Sequence, residues 1–275
     1  MNPDWFTLPV AALYLLVGWH FWRTRWRAAA MPARPARWEA FALLLPLVLH
    51  LVILHATIET PSGLDLGVGH AMSLIGALTV MVYWLTSYHS RMEALQAPLA
   101  LLAGLSVLVP LLLPSERVLD DTAFPAFRMH LLIALLAYSL LTIAALHAFM
   151  MSVVEKRLHH MAQTNLGAGL PPLLTMESVL FRLLALGFIL LTLTLISGVF
   201  FSEEIFHKPA ELNHKTVFAV LAWLVYAILL GGRKLWGWRG KTAVRWTWAG
   251  FVMLLLAYIG THFVLEIILH RPDGG

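Results

Sequence analysis

The sequence predicts an all-α membrane protein with about eight transmembrane helices, and three observations support this prediction. Of the 275 residues, 60% are hydrophobic and only 12% are charged, and the mean hydropathy is +0.77. Soluble domains usually carry about 25% charged residues, so lipid is the natural solvent for this apolar surplus. The apolar residues also form runs of roughly 20, the length of a membrane-spanning α-helix. We therefore expect a single polytopic transmembrane domain over residues 1–275.

Eight apolar runs follow one another along the chain. No basic segment precedes the first run and no cleavage site follows it, so we interpret it as a retained helix and not a signal peptide. Glycines at 67, 69 and 76 crowd the start of the third run. The connector between the fifth and sixth, residues 159–175, contains Gly and Pro and predicts a flexible loop. The predicted helices are Trp5–Trp22, Arg37–Glu59, Gly67–Thr86, Ala94–Leu113, Phe127–Met151, Glu177–Phe201, Leu212–Leu230 and Arg245–Leu269.

Lysine and arginine predict the orientation of these helices. If the N-terminus lies outside, 14 of the 19 basic residues fall in or beside the inner segments. Both termini are then extracytoplasmic, and most acidic residues lie on the outer side. The basic pI of 9.6 comes from these short loops, so we expect no nucleic-acid partner. The inner basic residues are Arg23, Arg25, Arg27, Arg34, Arg37, Arg91, Lys156, Arg157, Arg182, Arg233, Lys234, Arg239, Lys241 and Arg245.

Thirteen histidines are the most informative polar residues of the sequence. An ionisable residue inside a membrane is by default a hypothesis for a functional site. His50 lies deeper than the others in its helix and is either a buried ligand or a hydrogen-bonded core residue. Those on the inner side, to which we assign no function, are His20, His89, His147, His159 and His160. Those predicted at the outer leaflet are His55, His70, His130, His207, His214 and His262.

Imidazole is a common ligand of haem iron, and two outer histidines from facing helices could hold a haem between them. Arg128 and Lys215 stand close in sequence to His130 and His214 and could pair with the haem propionates. The absence of cysteine excludes covalent haem attachment, so the expected cofactor is non-covalent haem b. Taken singly, each histidine is more often a hydrogen-bonded interfacial residue. Glu266, four residues after His262, could orient that imidazole or form a simple interfacial pair.

Several sequence segments resemble the cytochrome c assembly family. They are the runs Ala222–Ala227, Gly237–Gly240, Ala249–Phe251 and Tyr258–Gly260, together with the helix from His130 to Tyr138. This family includes CcsA-, CcmC- and CcmF-type haem-handling proteins, and the nearer resemblance is to its HemX-like and YpjD-like branch of inner-membrane proteins. The resemblance covers about residues 60–269. It implies a bacterial inner-membrane protein that binds haem, with His130 as one ligand.

One departure from the family affects the functional prediction. Synthetase members carry a tryptophan-rich segment with a WWD core in an outer loop, whereas the segment Ser202–His214 contains no tryptophan. We therefore expect an accessory or regulatory haem-handling protein, with His214 as the second ligand and His262, His70 and His55 as reserves.

Two alternatives to this prediction stay open. One is a haem lyase or exporter component of cytochrome c biogenesis, working with other membrane proteins of haem or cytochrome assembly. The other is a non-haem membrane scaffold or transporter accessory subunit. No nucleotide-binding loop or serine hydrolase motif is present, so an enzymatic activity is not supported.

Overall fold

A computed structural model describes eight stretches of the chain: residues 4–27, 37–60, 63–87, 93–113, 118–119, 124–161, 173–204 and 214–262. Within these stretches the backbone forms eight α-helices and one small sheet. The helices are α1 (Asp4–Phe21), α2 (Leu44–Ile58), α3 (Val68–Ser87), α4 (Gln96–Leu112), α5 (Pro125–Met161), α6 (Leu173–Glu204), α7 (His214–Trp236) and α8 (Lys241–His262).

The eight helices correspond one by one to the eight predicted runs, which confirms the all-α membrane fold. Seven of them, α1 to α7, are long and apolar enough to cross a membrane within the described chain. The eighth, α8, has 22 residues, which is also a sufficient length. The last predicted residues, 263–269, lie outside the described chain.

Several helix ends differ from the predicted ones. The helix α5 has 37 residues and α6 has 32, so each exceeds the roughly 20 residues that a membrane requires. A π-helical turn, Trp22–Trp26, continues α1 into the segment that sequence analysis placed in the first inner loop. A 3₁₀ turn, Arg37–Ala40, precedes α2. Residues 152–161 of α5 and the π-helical turn after α1 are rich in polar or basic residues, so hydropathy alone could not place them in helices.

A three-stranded antiparallel sheet joins the ends of α2, α3 and α4. Its strands are β1 (Glu59–Thr60), β2 (Gly63–Asp65) and β3 (Val118–Leu119), in the order β1-β2-β3. Asp65 is the last residue of β2, and its side chain accepts a hydrogen bond from the backbone N–H of Gly67 at 3.1 Å. This bond fixes the chain just before α3 begins.

The helices group into two compact units. Unit 1 contains Met1–Ala123 and Leu146–Leu180, and unit 2 contains Phe124–Ala145 and Phe181–Gly275. Part of α5 and part of α6 belong to each unit. The expectation of a single transmembrane domain over the whole chain therefore stays a prediction.

Unit 1 is held together by close approaches between α1 and α4. A Cβ atom built on Gly18 would lie 3.1 Å from the Cβ of Ala100, and one built on Gly104 would lie 3.2 Å from the Cβ of Tyr14. Small residues at a helix interface let two backbones approach closely in lipid, where dispersion replaces the hydrophobic effect as the driving force. The helices α2 and α3 complete this packing.

Unit 2 contains the tightly packed α7–α8 hairpin. Gly237 and Gly240 have φ angles of +67° and +52°, which side chains rarely adopt, and they form the turn between the two helices. A Cβ built on Gly250 of α8 would lie 2.6 Å from the Cζ of Tyr226 on α7, so the tyrosine ring lies directly on that glycine. The hairpin is therefore shaped by glycine at its turn and at its interface.

Candidate functional site

His130 lies in the second turn of α5, in unit 2, and is held by a neighbouring helix. Its Nδ1 is 2.7 Å from the hydroxyl oxygen of Ser197 on α6, which hydrogen-bonds it. The imidazole is half-buried and lies nearly parallel to the ring of Phe127, with centroids 6.3 Å apart. Ser197 therefore fixes the plane of the ring, and Nε2 is the nitrogen with which this imidazole would bind a metal.

Gly198 lies beside the same imidazole. A Cβ atom at this position would lie 3.5 Å from the Cε1 of His130, which is ordinary contact distance. A side chain at this position would therefore contact the imidazole of His130.

His214 is the first residue of α7 and is exposed. Because Ser197 near the end of α6 meets His130 near the start of α5, these two helix ends lie together, and α7 begins ten residues after α6 ends. His130 and His214 are consequently at the same end of unit 2. Lys215, the next residue, is half-buried at this end.

Arg128 and His262 complete the candidates in unit 2. Arg128 is exposed in the first turn of α5. It precedes His130 by two positions, which is about 200° around the helix, so the two side chains leave the helix on opposite sides. His262 is the last residue of α8 that the structure describes, and its proposed partner Glu266 lies outside the described residues, as does His207.

His55 and His70 belong to unit 1, where they flank the small sheet. His70 lies in the first turn of α3, and its Nδ1 is 3.5 Å from a carboxylate oxygen of Asp65. His55 lies in the last turn of α2, and its Nδ1 is 3.3 Å from the carboxylate of Glu59. The side chain of His55 is 72% exposed, whereas that of His70 is 18% exposed. His70 is thus the more buried of the two.

His50 is buried in the middle of unit 1 and has a hydrogen-bond partner. Its Nε2 lies 2.8 Å from the hydroxyl oxygen of Ser73 on α3. The ring of Tyr14 on α1 meets the imidazole edge to face at 5.9 Å. Both His50 Nδ1 and the Tyr14 hydroxyl are buried without a protein partner. The sequence left two interpretations of His50 open, a buried ligand or a hydrogen-bonded core residue. This geometry agrees with the second.

A buried ion pair that was not predicted from the sequence lies at the other end of unit 1. Arg25 was expected in the first inner loop; instead it lies in the π-helical turn, where it is buried and its guanidinium donates to a carboxylate oxygen of Glu39 at 2.8 Å. His20 bonds the other oxygen of Glu39, also at 2.8 Å. The sequence contained one signal of this ion pair: Glu39 is an acidic residue among the inner basic residues.

The segments that carry the family resemblance also have structural roles in unit 2. Trp223 donates from its indole N–H to the hydroxyl of Thr192 at 2.9 Å and stacks on Phe188. Tyr258 meets Tyr138 edge to face at 5.8 Å. Most of these aromatic residues therefore join α5, α6, α7 and α8 of unit 2 through side-chain contacts.

Free metal ions are a separate question from haem. In the described stretches, no group of three or more His, Asp or Glu side chains is arranged to hold a metal ion. Haem iron needs only one or two protein ligands, because the porphyrin supplies the other four.

These helices define the class of the protein: a polytopic all-α membrane protein whose long, apolar helices form two units. The family model described as cytochrome C assembly protein matches residues 38–269. The chain belongs to this family. The match begins in the 3₁₀ turn before α2 and does not include α1.

Curated relatives agree with this assignment. The inner membrane protein YpjD of Escherichia coli is 30% identical over 236 residues, covering 84% of this chain and 89% of the relative. A cytochrome c biogenesis protein CcsA of Thermosynechococcus vestitus is 24% identical over 241 residues, covering 70% of this chain and 75% of the relative. Another CcsA, of Prochlorococcus marinus, is 36% identical over 95 residues, 34% of this chain and 30% of the relative.

The relatives and the helices together confirm the predicted location. The chain is a multi-pass protein of the bacterial inner membrane. No solved structure matches the chain.

Proposed function

We propose that this protein binds haem b without covalent attachment and handles haem as an accessory or regulatory component of cytochrome c assembly. The observation that carries the proposal is the environment of His130, which is half-buried and oriented through Nδ1 by Ser197 at 2.7 Å. Histidines that ligate metals characteristically have their other ring nitrogen held in this way. The relatives named CcsA are cytochrome c biogenesis proteins, which supports a role in the same process.

The residues around His130 fit a porphyrin edge. Gly198 adds no side chain beside the ring, and exposed apolar residues of α6, among them Val199 and Phe200, offer the apolar surface that a porphyrin face requires. When bound, haem would supply an iron that the imidazole of His130 would coordinate. The protein would contribute the imidazole of His130, whose ring plane is fixed by the bond to Ser197.

His214 is the proposed second ligand, because α7 begins at the same end of unit 2 as His130. Lys215 and Arg128 are the proposed partners of the propionates. Because the side chain of Arg128 leaves α5 on the side opposite to His130, it would reach them only at the outer edge of the haem. His262 and, in unit 1, His70 and His55 remain alternatives. Among these, His70 resembles His130 in having Nδ1 near a fixed partner, the carboxylate of Asp65.

The accessory role rests on the segment Ser202–His214. It contains no tryptophan, so it lacks the aromatic residues that the resemblance associates with presenting haem in synthetase members. A haem lyase of this kind would need a partner that supplies this surface. If deletion of the gene abolishes holocytochrome c while apocytochrome c persists, the lyase or exporter alternative replaces the accessory role.

The direct test is an absorption spectrum of the protein purified in mild detergent from haem-replete cells. We expect a Soret band in the wild type and its loss in His130→Ala. Ser197→Ala should weaken haem affinity roughly 10- to 100-fold, as expected when the partner that orients a ligand is removed. If His214 is the second ligand, His214→Ala should change the absorption spectrum. An unchanged spectrum would indicate a one-histidine site.

Ser178→Ala is the matched control, because Ser178 lies on the same helix and its hydroxyl bonds only a backbone carbonyl, that of Thr175. This variant should bind haem as the wild type does. A wild-type protein without a Soret band that also fails to take up added haem would contradict the proposal. In that case the scaffold or transporter-subunit alternative is favoured.

A further inference from the structure

We propose that His147, Met150, Met151 and Met176 of unit 1 form a binding site for a single Cu(I) ion. The four residues lie where α5 and α6 meet, and all of them are buried. The site differs from the His, Asp and Glu groups considered above because methionine sulfur supplies most of its ligands. It does not involve haem, and it stands or falls independently of the function proposed above.

The hydrogen bond of His147 leaves one ring nitrogen available as a ligand. Nε2 lies 2.9 Å from the backbone carbonyl oxygen of Met176. Because a carbonyl oxygen can only accept, Nε2 carries the proton and Nδ1 carries the lone pair. Nδ1 is itself buried and has no hydrogen-bond partner among the described residues. Histidines that ligate metals characteristically donate their other ring N–H to a carboxylate, a backbone carbonyl or water, as His147 does here.

Two methionines lie on the same face of α5 as His147. Met150 and Met151 follow it by three and four positions, which is the spacing of neighbours on one side of a helix. Long side chains on a helix lean towards its N-terminus, over the residue three or four positions earlier. Both thioethers are therefore expected beside the imidazole of His147. Nδ1 is the ring nitrogen nearer to the backbone, so it is the one that these side chains can reach.

The helix α6 supplies the third methionine. Met176 lies in the first turn of α6, and its own carbonyl holds His147. Met176 is buried, as is Leu180 one turn later, so this face of α6 packs against protein and not against lipid. The site therefore has one imidazole and up to three thioethers available to a bound ion.

This set of ligands favours Cu(I) over other metals. Thioether sulfur is a soft ligand that selects Cu(I), and imidazole suits copper as well. The chain has no cysteine, so methionine is its only source of soft sulfur ligands. Every ligand of the site is neutral, and a monovalent ion brings less charge into a buried position than a divalent one.

Buried methionine by itself is a common core residue, since its flexible chain fills irregular gaps. The cluster differs from such packing in one observation, the buried lone pair of His147 Nδ1. An ion that accepts this lone pair would remove an unsatisfied polar atom from the core. Leucine would fill the same gaps as methionine without binding an ion, and exchanging the two in a core usually costs little stability.

The test measures the Cu(I) affinity of the purified protein in detergent, without oxygen and with ascorbate, by competition with the chelator bathocuproine disulfonate. We expect the wild type to bind one equivalent of Cu(I), with sulfur and nitrogen neighbours in its X-ray absorption spectrum. Met150→Leu/Met151→Leu should weaken the affinity roughly tenfold or more, because two thioether ligands are removed. His147→Leu should weaken it as well, but it also removes the bond to Met176, so the methionine variant is the decisive one.

The matched control is Met81→Leu/Met253→Leu, which also removes two thioethers. Both methionines are half-buried, and neither has a histidine within four positions on its own helix. The Cu(I) affinity of this variant should stay near that of the wild type. Equal losses in the two double variants would overturn the site. A wild type that binds no Cu(I), or that binds it through nitrogen and oxygen alone, would overturn it too.

The absorption spectrum separates this site from the proposed haem site. Met150→Leu/Met151→Leu should keep the Soret band of the wild type, because His130, the proposed haem ligand, belongs to unit 2 and this cluster belongs to unit 1. Loss of the Soret band in this variant would mean that the methionines serve haem, and it would overturn the copper site.

Discussion

The two units of this protein bury polar groups in different ways. In the described part of unit 2, the buried serine and threonine hydroxyls are those of Ser139, Thr142 and Thr247, and each donates to the carbonyl four residues earlier in its own helix. Unit 1 instead buries ionisable and amide side chains. Its buried polar residues are Thr7, Arg25, Glu39, His50, Asp65, Ser73, Thr79, Gln96, Ser106, His147 and Glu177.

This difference shows two ways of fixing helices in lipid. Unit 1 joins segments through side-chain bonds such as Arg25–Glu39 and His50–Ser73. Unit 2 relies on shape in its interior, with Tyr226 against Gly250, and reserves cross-helix polar contacts such as His130–Ser197 for half-buried positions. We infer that both units are sensitive to added volume at their glycine contacts, and that unit 1 is in addition sensitive to the loss of a buried polar partner.

The largest expected effect is at the ion pair of unit 1. Glu39→Ala leaves the buried guanidinium of Arg25 without its carboxylate, and breaking a buried pair in this way costs about 3–5 kcal/mol. Thermal unfolding of the purified protein should show a large fall in midpoint. Arg25→Ala should also lower the unfolding midpoint.

The control for this prediction removes both charges. The double variant Arg25→Met/Glu39→Leu should recover most of the stability, because an apolar pair of similar volume avoids the uncompensated charge. If Glu39→Ala unfolds at the wild-type temperature, the pair contributes little and the contrast between the units weakens.

The next effect tests shape in unit 2. Gly250→Ala places a methyl group 2.6 Å from the Tyr226 ring, and overpacking of this kind typically costs about 1–3 kcal/mol. Gly231→Ala is the matched control on α7, since nothing lies within 4 Å of the added Cβ. Because glycine weakens a helix relative to alanine, Gly231→Ala should be neutral or up to about 1 kcal/mol more stable. Similar unfolding midpoints for the two variants would argue against packing control by Gly250.

The smallest effect concerns the hydrogen bond of His50. Ser73→Ala removes the partner of Nε2, and side-chain hydrogen bonds between membrane helices contribute about 0.6 kcal/mol on average. The double variant Ser73→Ala/His50→Leu should not lose this amount a second time, because both polar groups are then gone. A double-mutant cycle in unfolding free energy measures the coupling, and a coupling of zero would show that the 2.8 Å contact has no energetic weight.

At the candidate site, the positions of the histidines could be predicted from the sequence, but their hydrogen-bond partners could not. His55, His70, His130 and His214 lie at the helix ends where hydropathy placed them, because helix ends follow from the lengths of apolar runs. The partners Ser197 and Asp65 were not predicted as partners. A hydrogen bond between helices depends on how each helix is rotated about its axis, and a helix that is apolar on all sides carries little signal of that rotation.

The sequence by itself determined the number and order of the helices, the membrane as their solvent and the family, because each of these depends on local composition or on residue order. The tertiary structure alone decided that Arg25 is buried with Glu39, that His50 is bonded to Ser73, and that the family's aromatic residues pack within unit 2. The physical reason is that lipid-facing and protein-facing sides of a membrane helix are both apolar. Which residues meet is therefore set by close packing and by a few hydrogen bonds between helices.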